Sequence, residues 1–143
     1  MKTTRAIIAT LIIAAVAAAG PGAALAARSW SKAEEGTLNI SRLVFSRGVE
    51  DRQPVEPDFA PAADGRRLYA YLELFNKGES QELTLTWIRA GKPFHTVTLK
   101  VGRSPHWRTW AYLTLGTAMT GPWALEVRTE DGKLLMAMPL LVR

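Results

Sequence analysis

The chain has 143 residues, of which 18 are basic, 13 are acidic and none is cysteine. This length suits one domain, and the lack of cysteine excludes disulfides, thiolate metal sites and a cysteine nucleophile. The charges are scattered and form no basic tract, so nucleic acid is not an expected partner. Such a domain must be held together by its hydrophobic core.

The first 26 residues have the pattern of a secretory signal peptide. Lys2 and Arg5 form a short basic start, residues 6–19 are apolar apart from Thr10, and Ala24 and Ala26 are the small residues that signal peptidase accepts. The apolar run is shorter than the ~20 residues of a membrane-spanning helix. We therefore expect cleavage and a periplasmic or secreted protein without a stable membrane anchor. Retention as an uncleaved anchor is the alternative.

The exported chain is expected to have a flexible leader, residues 27–36, and a single domain, residues 37–143. Without Lys2 and Arg5, 16 basic and 13 acidic residues remain, a net charge of about +3. Leu38, Ile40 and the residues up to Phe45 predict a first strand. Residues 46–66 then read as a long connection, because their prolines cannot donate to a strand ladder.

Beyond this connection, apolar and polar residues alternate, with turn residues about every ten positions. The alternation predicts six further strands, over residues 68–75, 82–87, 96–101, 105–112, 123–128 and 134–142. Asp131-Gly132 suits a tight turn that needs positive φ, and Pro139 marks the last strand as an edge strand or a bulge. About seven short strands and no convincing helix predict an all-β, immunoglobulin-like antiparallel β-sandwich. A small β-barrel is the alternative.

Three sequence blocks stand out, in this order: RLVFSRGVEDRQP at residues 42–54, PHWRTWAY at 105–112 and GPWALEVRTEDGKLL at 121–135. Together they resemble a bacterial family catalogued as domain of unknown function 2914, which shows a D-R-x-P ending, an R-W-R-x-W/Y-like core and a G-x-W-x-V-x-V…D-G-x-L ending. The chain departs from the family at residues 85–87, where the family often has H-R-W, and at residues 111–112, where it often has a serine pair. The resemblance implies a fold and an envelope setting, and no activity.

The block PHWRTWAY is the candidate binding surface. If it forms a strand, one of its faces carries His106, Arg108, Trp110 and Tyr112. This row, which Trp123 and Tyr71 could extend, suits the stacking of sugars or peptides. In the alternative, structural interpretation, Arg108 pairs with Asp51 and pins the long connection to the sheet, because a partly buried arginine needs an acidic partner.

Metal binding and catalysis have weaker support. Imidazole and thioether groups suit copper, and the candidate ligands are His95, His106, Met119, Met136 and Met138. Methionines with this spacing also pack in cores. No hydrolase triad, glycosidase carboxylate pair or phosphate-binding loop is visible, and Ser104 is the only serine close to a histidine. We therefore predict no metal, no cofactor and no catalytic residue.

The sequence thus predicts an exported, non-catalytic binding module of the cell envelope. The favoured partner is a protein that pairs with a sheet edge or packs on the aromatic face. The alternative partner is a glycan, either peptidoglycan or another polysaccharide, stacked on the row of rings. Periplasmic copper binding and hydrolysis are minor alternatives.

Overall fold

The computed structural model describes residues 37–143, which form nine β-strands and no helix. The strands are β1 (Leu38–Ser46), β2 (Gly48–Glu50), β3 (Gln53–Val55), β4 (Arg67–Asn76), β5 (Gln81–Arg89), β6 (Lys92–Val101), β7 (Ser104–Thr114), β8 (Gly121–Thr129) and β9 (Leu134–Val142). The predicted signal peptide and leader, residues 1–36, lie outside the described residues. Within residues 37–143, no helix is long and apolar enough to cross a membrane.

The seven long strands form two sheets, and β2 and β3 form a separate hairpin. One sheet has three strands in the order β1-β4-β7, and the other has four in the order β6-β5-β8-β9, with every neighbouring pair antiparallel. This confirms the predicted all-β sandwich, and neither sheet closes into a barrel. In the seven-strand immunoglobulin pattern, the fourth strand joins the sheet of the first strand. Here the fourth of the long strands is β6, and it pairs with β5 in the other sheet instead.

The core lies between the sheets and contains the residues that the alternation predicts. The inward residues of β4 are each no more than 1% exposed: Leu68, Ala70, Leu72 and Leu74. Those of β5 and β8 are also buried: Leu83, Leu85, Trp87, Trp123, Leu125 and Val127. Because the chain has no cysteine, the burial of these apolar side chains is the main force that holds the two sheets together.

The long connection contains a hairpin that the sequence analysis did not predict. β2 and β3 are joined by a two-residue turn, Asp51-Arg52, whose residues have φ of 48° and 59°. Such turns usually carry Asn-Gly or Asp-Gly, so a turn made of Asp-Arg is not predicted from the sequence. The hairpin lies against the outer face of the three-stranded sheet, where the hydroxyl of Tyr71 donates a hydrogen bond of 2.8 Å to the carbonyl of Arg52.

The remainder of the connection bridges the two sheets on one side of the sandwich. The amide of Asp58 donates to the carbonyl of Phe45 in β1. The amide of Ala63 donates to the carbonyl of Arg143, which directly follows β9, and the amide of Arg143 donates to the carbonyl of Pro61. The β1–β9 side is therefore covered by residues 58–63, whereas the opposite side, between β6 and β7, has a groove.

Candidate functional site

The predicted row lies on β7, on the outer face of the three-stranded sheet. His106 is exposed, Arg108 is half-buried, and Trp110 and Tyr112 are 37% and 46% exposed. The alternate residues point inward, and Ala111 among them is 5% exposed. The period of two therefore assigned the two faces of this strand correctly.

The aromatic half of the row continues onto β4. The register between the strands places Tyr112 opposite Tyr69 and Trp110 opposite Tyr71. The ring centroids of Tyr69 and Tyr112 are 5.7 Å apart, and those of Tyr71 and Trp110 are 6.5 Å apart with their planes 13° from parallel. Cross-strand ring pairs of this kind stabilise a sheet, and here they fix the exposed rings in position.

Tyr71 lies beside the row on the same outer face, where its ring stacks on Trp110, and it is fully buried. Its hydroxyl donates to the carbonyl of Arg52 and lies 3.2 Å from Oε1 of Glu73. Burial, and then the negative charge of Glu73, raises the pKa of Tyr71 above its ordinary value of 10.0. This ring was a candidate ligand contact, but its burial leaves it as a support for Trp110.

The charged half of the row is centred on Glu73 of β4. Its Oε2 lies 3.5 Å from Nε2 of His106, and its Oε1 lies 3.7 Å from Nη1 of Arg42. Arg108 lies directly opposite Glu73, yet it forms no ion pair within residues 37–143, and its Nε is buried without a hydrogen-bond partner there. The structure does not bring Asp51 to Arg108, because Asp51 lies exposed at the tip of the β2–β3 hairpin.

A further arginine lies beside the aromatic half of the row. The guanidinium of Arg67 is 4.3 Å from the centroid of the Tyr112 ring, a cation–π distance. A hydrogen bond with the side chain of Tyr69, and then electrostatic interaction with Tyr112 and Tyr69, raises the pKa of Arg67. Together with Arg42 and Arg108, Arg67 makes this outer face basic.

A groove of about 650 Å³ lies next to the row, between β6 and β7. Its residues are Phe94, His95 and Val97 on β6 and residues 110–114 on β7. The groove arises because a sheet of four strands faces a sheet of three, so that β6 has no strand opposite it. The inward residues Val97 and Leu99 are consequently only half-buried, and Phe94 is 50% exposed. Sequence reasoning missed this groove because it depends on strand order.

The other candidate residues lie away from the row. Trp123 is buried on the inner face of β8, and its Nε1 donates to the carbonyl of Met119. Met136 is in the core whereas His106 is on an outer face, so these two suggested copper ligands do not share a site. The hydroxyl of Ser104 accepts a hydrogen bond from the backbone amide of His106. Over residues 37–143, no cluster of three histidine or acidic side chains is arranged to hold a metal.

Comparison with known families supports the predicted resemblance. Residues 80–139 match the sequence model of the family described as Protein of unknown function (DUF2914). The match contains the second and third blocks of the resemblance, and the first block, residues 42–54, precedes it. No curated protein matches the chain.

Proposed function

We propose that the protein, whose residues 80–139 match the DUF2914 family model, is an exported, non-catalytic binding module of the cell envelope. In this proposal, the free edge of β7 binds an extended segment of a partner protein. Export is supported by the secretory pattern of residues 1–26, and the setting would be the periplasm or the medium. When a strand is added to a sheet edge, main-chain hydrogen bonds provide affinity and side-chain pockets provide specificity.

The observation that carries the proposal is the unprotected edge of β7. Proteins usually blunt their edge strands with prolines, lysines, bulges or covering segments. β9 carries Pro139, β6 carries Lys92 and Pro93, and β1 has a bulge and accepts a hydrogen bond from Asp58. Residues 107–114 of β7 contain no proline, lysine or bulge, and no described strand pairs with their free side.

The groove is placed to receive side chains from an added strand. Alternate residues of a strand point to opposite faces of its sheet, so half the side chains of a strand beside β7 would point inward, next to Leu113 and toward Val97. The other half would lie beside Trp110 and Tyr112 on the outer face. Such a strand would give the smaller sheet a fourth member and cover the inner face of β6.

Site-specific photo-crosslinking in the cells that produce the protein tests this proposal. A benzoylphenylalanine in place of Tyr112 should give a discrete crosslinked protein in the envelope fraction, because this position borders the β7 edge. The matched control places the same group at Leu141, which is 61% exposed on β9. Equal crosslinking at the two positions, or none at Tyr112, would contradict binding at the β7 edge.

A glycan is the second candidate ligand, because two exposed rings, Trp110 and Tyr112, lie on one face next to Arg108. The flat faces of these rings are partly occupied, since Tyr71 stacks under Trp110 and Arg67 lies over Tyr112. This makes protein binding the better-supported candidate. Co-sedimentation of the purified protein with isolated peptidoglycan, and its loss in Trp110→Ala, would favour the glycan instead.

A further inference from the structure

We infer that the segment bound at the β7 edge is acidic, with a carboxylate that binds Arg108 and apolar residues before it that fill the groove. This inference rests on the proposed strand addition at β7. It names the chemistry of the partner, which strand addition alone leaves open.

The state of Arg108 is the first argument. A guanidinium has five N–H donors, and a half-buried one without partners is costly. Arg108 is half-buried, its Nε has no hydrogen-bond partner, and no acid in the described part of the chain forms an ion pair with it. Its nearest cross-strand acid, Glu73, is engaged by other groups: Arg42, His106 and the hydroxyl of Tyr71. A carboxylate from outside the sheet would supply the missing partner.

Strand geometry gives the second argument. Residues directly opposite each other in antiparallel strands have Cβ atoms about 5 Å apart. A strand added to the free side of β7 would therefore place one outward side chain within reach of Arg108. Running antiparallel to β7, the same strand would place its two preceding outward residues opposite Trp110 and Tyr112. Its inward residues there would lie opposite Ala111 and Leu113, at the groove.

Charge complementarity is the third argument. Arg42, Arg67 and Arg108 all lie on the outer face formed by β1, β4 and β7, and without Lys2 and Arg5 the chain keeps 16 basic and 13 acidic residues, a net charge of about +3. A basic surface favours acidic partners and disfavours basic ones. A lysine opposite Arg108 would add a second unpaired cation, so the site should also select against basic segments.

Binding of short synthetic peptides to the exported protein, purified from the producing cells, tests the inference by calorimetry. The probe is a capped six-residue peptide with valine at its first and third positions, tyrosine at the second and fourth, threonine at the fifth and glutamate at the last. In the antiparallel register, its glutamate lies opposite Arg108. We expect it to bind about tenfold more tightly than the same peptide with glutamine at the end, because hydrogen bonds to charged groups are stronger than neutral ones.

Protein variants assign this preference to one side chain. Arg108→Gln should remove the preference for glutamate, whereas Arg108→Lys should keep part of that preference. The matched control is Arg42→Gln, which removes an arginine from the same face but on β1, away from the free edge, and should keep most of the preference. Thermal unfolding of each variant checks that the fold persists.

The outcomes separate the inference from the proposed function. Equal binding of the two peptides, or a preference that survives in folded Arg108→Gln, would overturn the acidic-segment inference and leave strand addition intact. Binding that persists after N-methylation of the alternate peptide amides that would face β7 would show that the peptide is not an added strand, and would also overturn the inference. If no peptide binds, the inference is overturned, and crosslinking at Tyr112 still decides the proposed function.

Discussion

Tyr71 joins the first family-like block to the candidate site. The residue lies on the outer face of its sheet, where the hydroxyl of a tyrosine is usually exposed to solvent, yet it is fully buried. The β2–β3 hairpin lies over it and Trp110 stacks beside it, so one hydroxyl connects the turn at Arg52 to the row on β7.

We predict that Tyr71→Phe lowers the free energy of unfolding by about 1 kcal/mol, since it leaves the Arg52 carbonyl without its hydrogen bond. Urea denaturation at neutral pH measures the change. Tyr112→Phe is the matched control, because that ring is exposed and the change should stay within about 0.5 kcal/mol. Equal losses in the two variants would show that the Tyr71 hydroxyl has no special role.

The pH dependence gives an independent check of the same residue. Burial raises the pKa of Tyr71 in the folded state above the ordinary value of 10.0, so the folded protein holds this proton more tightly than the unfolded chain does. The resulting stability is fully present below the unfolded pKa and is lost as the pH rises through the folded pKa. Tyr71→Phe should therefore lose less stability than the wild type when the pH is raised above 10.0.

At the scale of elements, two hairpins use the same kind of turn with different residues. The β5–β6 turn is Ala90-Gly91 and the β2–β3 turn is Asp51-Arg52, and all four residues have positive φ. Arginine is rarely found in that conformation, and the second position normally takes glycine. The β2–β3 turn is thus strained, and it persists because the hairpin is held against Tyr71.

Exchanging these residues tests the strain directly. Arg52→Gly should raise the free energy of unfolding by about 1 kcal/mol, because glycine adopts positive φ without a steric cost. Gly91→Arg is the mirror-image control and should lower it by a similar amount. A Cβ added at Gly91 meets nothing within 4 Å, so only its φ of 76° opposes the change. A loss of stability in Arg52→Gly would mean that the arginine side chain contributes more than its strain costs.

The elements also show what could be read from the sequence. Alternation predicts which residues of each strand point inward, and β4 and β7 follow it because one buried face requires a period of two. Alternation does not say which strands are neighbours or in which register. The positions of Glu73 opposite Arg108 and of Tyr71 opposite Trp110 therefore needed the structure, as did the turn at Asp51-Arg52, which lacks the usual turn residues.

Across the whole molecule, the two sides of the sandwich differ. Residues 58–63 hydrogen-bond to β1 and to Arg143 beyond β9, and so bridge the sheets on one side. On the other side, β6 extends past β7, and its first five residues are all exposed. On β9, by contrast, two inward residues near its ends, Met136 and Val142, are buried. The side that the connection leaves open is the side on which we place the partner.

This asymmetry predicts unequal local stability, because segments with few buried apolar contacts open at low free energy. Native-state hydrogen exchange should show the β6 amides that bond to β5 exchanging at least about tenfold faster than those that join β8 to β9. The two strands are both sheet edges, so the comparison isolates the missing cover over β6. Similar protection of the two edges would show that the overhang costs β6 no stability.

If a peptide strand binds beside β7, it covers Val97 and Leu99, and exchange in β6 should then slow while exchange in β9 stays the same.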